Sequence, residues 1–161
     1  MRKLPPALLA LLLLGACTPY NSDPLAPVEA YLVENIGEAS FGGEVFCSYD
    51  VLDMGVRFNG ADVYTWAFCA EYYLEDGTLT MGTASSLPVA IYMENDQNKG
   101  FIITGYAIPR DGTEYGPSIR EIFPSRAITA MCEGKPDCYN ERAWRLEEEA
   151  EAQARAYFGL E

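Results

Sequence analysis

The chain contains no histidine and few basic residues. Among its 161 residues, 11 Lys and Arg stand against 24 Asp and Glu, which gives a net charge of −13. Without His the chain lacks the commonest general base and the commonest zinc ligand. Without a basic face it is a poor nucleic-acid binder, because phosphates must be neutralised. It also has neither a nucleophile elbow nor a phosphate-binding glycine-rich loop. We therefore expect no nucleic acid, no metal, no cofactor and no conventional catalytic residue.

A single apolar run opens the sequence. Residues 4–14 are eleven apolar residues that follow the basic start Met1-Arg2-Lys3. A membrane-spanning helix requires about 20 such residues, so the run predicts a signal-peptide core. The next residues, Leu14-Gly15-Ala16-Cys17, resemble the lipobox of bacterial lipoproteins, except that the family more often has Ala, Ser, Thr or Val in place of Gly15. The resemblance implies cleavage before Cys17 and acylation of Cys17, whose acyl chains (palmitate among them) anchor the protein in a bilayer.

The resemblance also implies a location in the cell envelope. Removal of residues 1–16 leaves 9 basic residues against the same 24 acids, a charge of −15. Thr18 follows Cys17, whereas Asp at this position commonly retains lipoproteins at the inner membrane. We therefore expect the outer membrane, facing the periplasm, in a host with two membranes. The alternative is an ordinary secretory signal with Cys17 as a spare thiol.

Four further cysteines, an even number in an exported chain, predict disulfides. The pairing favoured is Cys47–Cys69, across two consecutive strand-like segments, and Cys132–Cys138, around the short loop 133–137. A zinc site is the competing interpretation. It is disfavoured because no Cys-x2-Cys spacing and no His are present.

The pattern of turns and apolar residues predicts an α+β fold. Residues 17–26 are expected to be a lipidated tether, and residues 27–161 a single domain. Pro27 opens an N-terminal helix, and Asn140 caps a long helix that ends near Phe158. Four strands joined by short turns, Asn59-Gly60 and Asp76-Gly77 among them, predict an antiparallel meander with the C-terminal helices packed on one face. The expected strands are Glu44–Met54, Asp62–Leu74, Thr78–Met93 (interrupted by Pro88, which predicts a bulge or an edge) and Phe101–Ile108.

This order of elements resembles the cystatin-like folds over about residues 27–108. The Gln-x-Val-x-Gly loop of protease-inhibiting cystatins is absent, so the resemblance implies the fold and not the inhibition. Three short segments are also similar to small bacterial exported proteins of unassigned function. They are Phe46-Cys47-Ser48-Tyr49, Pro109-Arg110-Asp111-Gly112 and Ile122-Phe123-Pro124.

Two groups of side chains are candidates for a pocket. An aromatic stripe, which includes Tyr64 and Trp66, alternates along the second strand and is interpreted as core, with an apolar or glycan pocket as the alternative. Glu71 lies on the opposite, mixed face, which Asp53 shares with Cys47 if no bulge intervenes. An enzyme would use Glu71 with Asp53 or Tyr73 in a cone-shaped pocket, as a hydrolase or an isomerase.

The leading functional expectation is a membrane-anchored, non-enzymatic module that binds a protein or ligand of the envelope. The anchor, the disulfides and the lack of a catalytic constellation motivate it. The acidic C-terminal helix is either a partner-binding face or an ordinary solvated face. Two competing hypotheses are the carboxylate enzyme and a purely structural envelope protein.

Overall fold

A computed structural model describes residues 22–132 and 138–160, with the side chains of residues 132, 138 and 139 excepted. The strands pair in the order β1-β2-β3-β4, each antiparallel to its neighbour, which confirms the meander and the α+β class. The strands are β1 (Glu44–Arg57), β2 (Gly60–Glu75), β3 (Thr78–Asp96) and β4 (Gly100–Ala107). The helices are α1 (Val28–Asn35), α2 (Tyr115–Ile122), α3 (Ser125–Cys132) and α4 (Cys138–Phe158), and a 3₁₀ turn (Gly112–Glu114) precedes α2.

The turns explain why neighbouring strands pair. Asp76 and Gly77 both have positive φ, 51° and 80°, and link the paired residues Glu75 and Thr78. A two-residue turn with both residues left-handed matches the twist of the strands that it joins. The β1–β2 turn is Phe58-Asn59, one residue earlier than the predicted Asn59-Gly60, since Arg57 pairs with Gly60.

Pro88 lies at a sheet edge, as predicted. It pairs with Trp66 of β2 on one side, while β4 covers β3 only from Ala90 to Asp96 on the other. A proline has no N–H to donate to a ladder, so it is tolerated where one side of the strand has no neighbour.

The sheet is covered on both faces. The C-terminal helices pack on the face that carries the aromatic stripe, where Trp66, Phe68 and Tyr72 are buried against Leu146 and Ala150 of α4. The interpretation of the stripe as core is therefore confirmed. On the other face, α1 packs through Val28 and Leu32 onto a second cluster, which includes Cys47, Val63, Cys69 and Ile91.

The first predicted disulfide is present. Cys47 and Cys69 are directly opposite each other in β1 and β2, and a disulfide bond joins them. The second predicted pair, Cys132–Cys138, lies outside the described side chains, as does Cys17.

The last residues of the predicted tether, residues 17–26, contact the domain. Leu25 packs against the cluster beneath α1, its N–H is bonded to the Asp23 carboxylate, and its carbonyl accepts a hydrogen bond from the Tyr49 hydroxyl at 3.4 Å. Asp23 and Leu25 therefore belong to the folded part of the chain.

The long C-terminal helix differs from its prediction in detail. α4 begins at Cys138, so Asn140 lies inside it rather than at its cap. Leu146, Ala150 and Ala154 are fully buried, whereas Tyr157, which the helical pattern places on the same stripe, is 62% exposed.

Arg142 fixes α4 against its neighbours. Its guanidinium donates to Asp50 of β1 and to the carbonyls of Ala130 and Met131, which are among the last carbonyls of α3. A cation at this position satisfies carbonyls that have no partner within their own helix.

Candidate functional site

Glu71 is fully buried and holds a loop over the end of the sheet. The backbone N–H groups of Ser40, Phe41 and Gly43 donate to its carboxylate at 2.7 to 2.9 Å, and the Thr83 hydroxyl donates at 2.9 Å. These donors come from the segment between α1 and β1 and from β3. Glu71 therefore ties the α1–β1 connection to the middle of the sheet.

The same contacts fix the charge of this carboxyl. Burial raises the pKa of Glu71, but the hydrogen bonds from Gly43, Ser40, Thr83 and Phe41 outweigh it and lower the pKa from 4.5 to about 2. Hydrogen bonds to the ionised form of a carboxyl favour that form. A carboxylate that is saturated with donors and ionised down to this pH is a structural anion and a weak proton acceptor.

The structure does not bring Asp53 near Glu71. A bulge between Val51 and Asp53 shifts the register of β1, so Asp53 pairs with Tyr64. Directly opposite residues point to the same face, and Tyr64 packs on the face of the C-terminal helices. Asp53 therefore lies on the opposite face from Cys47 and Glu71. The expectation that Asp53 and Cys47 share a face was conditional on an unbulged strand, and it is wrong.

The three candidate pocket residues lie apart. Tyr64 packs against Phe123 of the α2–α3 segment, with ring centroids 5.8 Å apart, and the Trp66 indole donates to Ser86. Both rings belong to the core under the C-terminal helices, on the face opposite to Glu71. A cavity that is lined by Thr83, the hydroxyl partner of Glu71, and not by Glu71 itself has a volume of only about 40 Å³. Ligand pockets generally begin at roughly 300 Å³, so this cavity offers no room for a substrate.

A larger concavity is lined in part by Phe41 and Gly43 of the loop that Glu71 holds. We call it the aromatic groove, and its volume is about 350 Å³. Phe41 stacks on Tyr73 with centroids 5.9 Å apart and an interplanar angle of 17°. The side chains that define the groove are those of Phe41, Tyr73, Leu74, Tyr157 and Phe158.

The groove presents aromatic surface to solvent. Phe41 is 64% exposed, Leu74 44% and Tyr157 62%. Phe46 of β1 contacts both Tyr157 and Phe158, with centroids 5.5 and 6.4 Å away, so the end of α4 is fixed on the sheet. Contiguous exposed apolar surface of this kind is typical of interaction sites.

The margin of the groove is acidic. Glu44 lines it directly, and Glu75 and Asp76 follow Leu74 in the adjoining turn. The whole chain is strongly acidic as well. A partner that approaches this end therefore meets negative potential, which favours basic groups.

The acidic face of α4 has the ion pairs of a solvated helix surface rather than features of a partner-binding face. Glu149 pairs with Arg145 at 2.9 Å and Glu151 with Arg155 at 2.8 Å, both one helical turn apart. Exposed pairs at this spacing are common on solvated helices and contribute little. The ion pairs of this face are therefore those of an ordinary solvated helix, and they point to no partner.

Gly82 of β3 permits the close approach of the loop. A Cβ atom at this position would lie 2.7 Å from Oε2 of Glu71 and 3.0 Å from the ring of Phe41. Any larger residue must displace the carboxylate or the aromatic ring, so the sequence needs a glycine here although the strand itself does not.

We expect Gly82→Ala to destabilise the protein by about 2 kcal/mol, the usual effect of forcing extra volume into a packed site. Gly55→Ala is the matched control, because a Cβ on Gly55 of β1 meets nothing within 4 Å. Urea unfolding monitored by circular dichroism measures both variants. Equal stability of the two would contradict the packing described for Gly82.

Comparison with protein families, with curated proteins and with solved structures finds no match to this chain. The lipoprotein and cystatin-like resemblances therefore stay predictions. Within the described residues, no helix has the length and hydropathy to cross a bilayer. Nor do three or more acidic or cysteine side chains gather there as a metal site would require.

Proposed function

We propose that this protein is a lipid-anchored, non-enzymatic binding module of the bacterial envelope, which captures a protein partner in its aromatic groove. The observation that carries the proposal is the position of the groove relative to the N-terminus of α1. The two lie toward opposite ends of the sheet.

The direction of α1 establishes this arrangement. Before the helix, Leu25 is bonded to Tyr49; after it, Gly37 lies against Val45. α1 therefore runs antiparallel to β1, and its N-terminal end points toward the end of the sheet that carries the β1–β2 turn. We call this the anchor end of the sheet. The groove, beside the turn Asp76-Gly77, is at the other end, which we call the distal end.

A lipid on Cys17 would therefore hold the anchor end toward the membrane and leave the distal end directed away from it. The groove would then face the periplasm, where it is accessible to other envelope proteins. Its aromatic lining and acidic margin fit a partner segment that carries an apolar or aromatic side chain flanked by Lys or Arg.

The anchor is tested by metabolic labelling with palmitate and cell fractionation. We expect the wild-type chain to incorporate label and to remain with the membranes, and Cys17→Ser to incorporate none and to appear in the soluble fraction. Thr18→Ser, which keeps the thiol, should behave as wild type. Unlabelled wild-type protein, or membrane retention unchanged in Cys17→Ser, would contradict the anchor.

The groove is tested by binding. Once a partner has been identified by cross-linking, we expect Tyr157→Ala to weaken the interaction about tenfold or more, since buried aromatic anchors dominate interface energetics. Trp144→Ala is the control, because Trp144 is 65% exposed on the same helix and does not line the groove. An equal effect of both substitutions would place the partner elsewhere on α4.

A further inference from the structure

A stripe of apolar side chains runs along β1 to the tip of the β1–β2 turn. Val51, Met54 and Val56 are exposed by 42%, 40% and 60%, and Phe58 in the turn is fully exposed. Met54 pairs with Val63, and Val56 pairs with Ala61. Val63 and Ala61 are buried in the cluster on the face of the sheet that α1 covers. The stripe therefore continues the face that α1 covers, beyond the point where α1 begins.

The N-terminal end of α1 lies on the side of the sheet nearer to this stripe, because α1 starts near Tyr49 and ends near Val45. Before α1, Leu25 contacts β1 at the level of Tyr49. From Tyr49 to Phe58 is about 30 Å along the strand, at the usual rise per residue. The six residues 17–22 reach at most about 20 Å when fully extended. A lipid on Cys17 therefore holds the whole anchor end close to the membrane surface.

We propose that the tip of this stripe, with Phe58 at its end, inserts into the interface of the bilayer in which Cys17 is anchored. This inference rests on the proposed lipid anchor. The contact is apolar, because Arg57 beside Phe58 is paired with Asp62 at 2.6 Å. The net negative charge of the chain disfavours anionic lipids, so the occupant is a zwitterionic lipid surface.

Insertion would give the molecule a fixed orientation. A lipid anchor alone leaves a domain free to rotate above the membrane. A second contact at Phe58 would orient the long axis of the sheet away from the membrane plane. The acyl chains supply the attachment, and the contact at Phe58 adds the orientation. The aromatic groove would then be displayed at the far end of this axis.

The experiment uses the purified lipidated protein, reconstituted into phosphatidylcholine vesicles with or without brominated acyl chains. Tryptophan is introduced at the anchor end as Phe58→Trp and at the distal end as Leu74→Trp. The emission of the parent protein, which contains Trp66 and Trp144, is subtracted from each. We expect bromine to quench the added emission of Phe58→Trp about twofold or more, and to leave that of Leu74→Trp unchanged.

Each contrary outcome is distinct. An unquenched Phe58→Trp in protein that co-floats with the vesicles overturns the insertion and leaves the anchor intact. A blue-shifted but unquenched emission would mean that residues 18–21 of this chain cover the stripe instead, which also overturns it. A wild-type protein that fails to co-float overturns the anchor itself. Should Phe58→Trp fail to fold, Val56→Trp reports on the same stripe.

Discussion

Replacement of Glu71 by Gln is expected to lower the thermal unfolding temperature by about 10 °C, because it breaks a buried network of hydrogen bonds. The amide keeps the size of the carboxylate, but its NH₂ group replaces one of the two oxygens that accept from Ser40, Phe41 and Gly43, so at least one of these backbone N–H donors loses its acceptor. The loop that carries Phe41 should be released, and the groove should lose one wall.

The matched control is Glu75→Gln, which removes an exposed carboxylate four residues along the same strand. We expect its unfolding temperature to stay within about 2 °C of wild type, as is usual for surface substitutions. Differential scanning calorimetry measures both variants. A Glu71→Gln protein as stable as Glu75→Gln would show that the carboxylate does not hold the loop.

The pH dependence of stability supplies an independent test. The folded pKa of Glu71, about 2, is below its ordinary value of 4.5. Its contribution to stability is therefore fully present above pH 4.5 and is lost as the pH falls toward 2. The stability difference between wild type and Glu71→Gln should narrow across this window. A difference that stays constant from about pH 6 to about pH 2 would contradict the lowered pKa.

Removal of the disulfide is the second large effect expected. Cys47 and Cys69 are separated by 22 residues. A disulfide that closes a loop of this length lowers the entropy of the unfolded chain and so raises the free energy of unfolding by about 3 kcal/mol. We expect the double variant Cys47→Ala/Cys69→Ala to lose that amount in urea unfolding. A reducing agent should lower the stability of the wild type more than that of the double variant. Equal stability of wild type and double variant would contradict the bond.

Features that depend on neighbouring residues along the chain could be predicted from the sequence. The strand order and the Cys47–Cys69 pair both follow from short turns, because a hairpin brings consecutive strands side by side. The aromatic stripe of β2 follows from a period of two, and the structure places Trp66 and Tyr72 in the core.

The face of the sheet on which Asp53 lies could not be predicted. One extra residue in β1 moves every side chain that follows it to the opposite face. The sequence carries no clear signal for a bulge at residues 51–53. The alternation therefore holds only up to Val51, and a pairing of carboxylates inferred across the bulge was wrong.

The structural role of Glu71 could not be predicted from the sequence either. An acidic residue in a strand predicts either a solvated face or a reactive carboxyl, whereas the structure gives it backbone donors from a loop 30 and 31 residues away along the chain. The aromatic groove likewise joins three distant segments around Phe41, Leu74 and Tyr157. Only Gly42-Gly43 gives a local signal, and it is not specific, whereas the helical pattern places Tyr157 on the buried stripe of α4.

The most direct measurement places the photo-cross-linking residue benzoylphenylalanine at position 41 in one variant and at position 58 in another, in living cells that make the lipidated protein. Position 41 should give one protein adduct of defined mass, whose attached peptide has Lys or Arg beside an apolar residue, while position 58 should attach to phospholipid. The adduct at position 41 should disappear in Glu71→Gln and persist in Glu94→Gln, which removes an exposed carboxylate of β3 outside the groove. No protein adduct at position 41 above background, or attachment to an acidic peptide, would contradict the groove as a binding site.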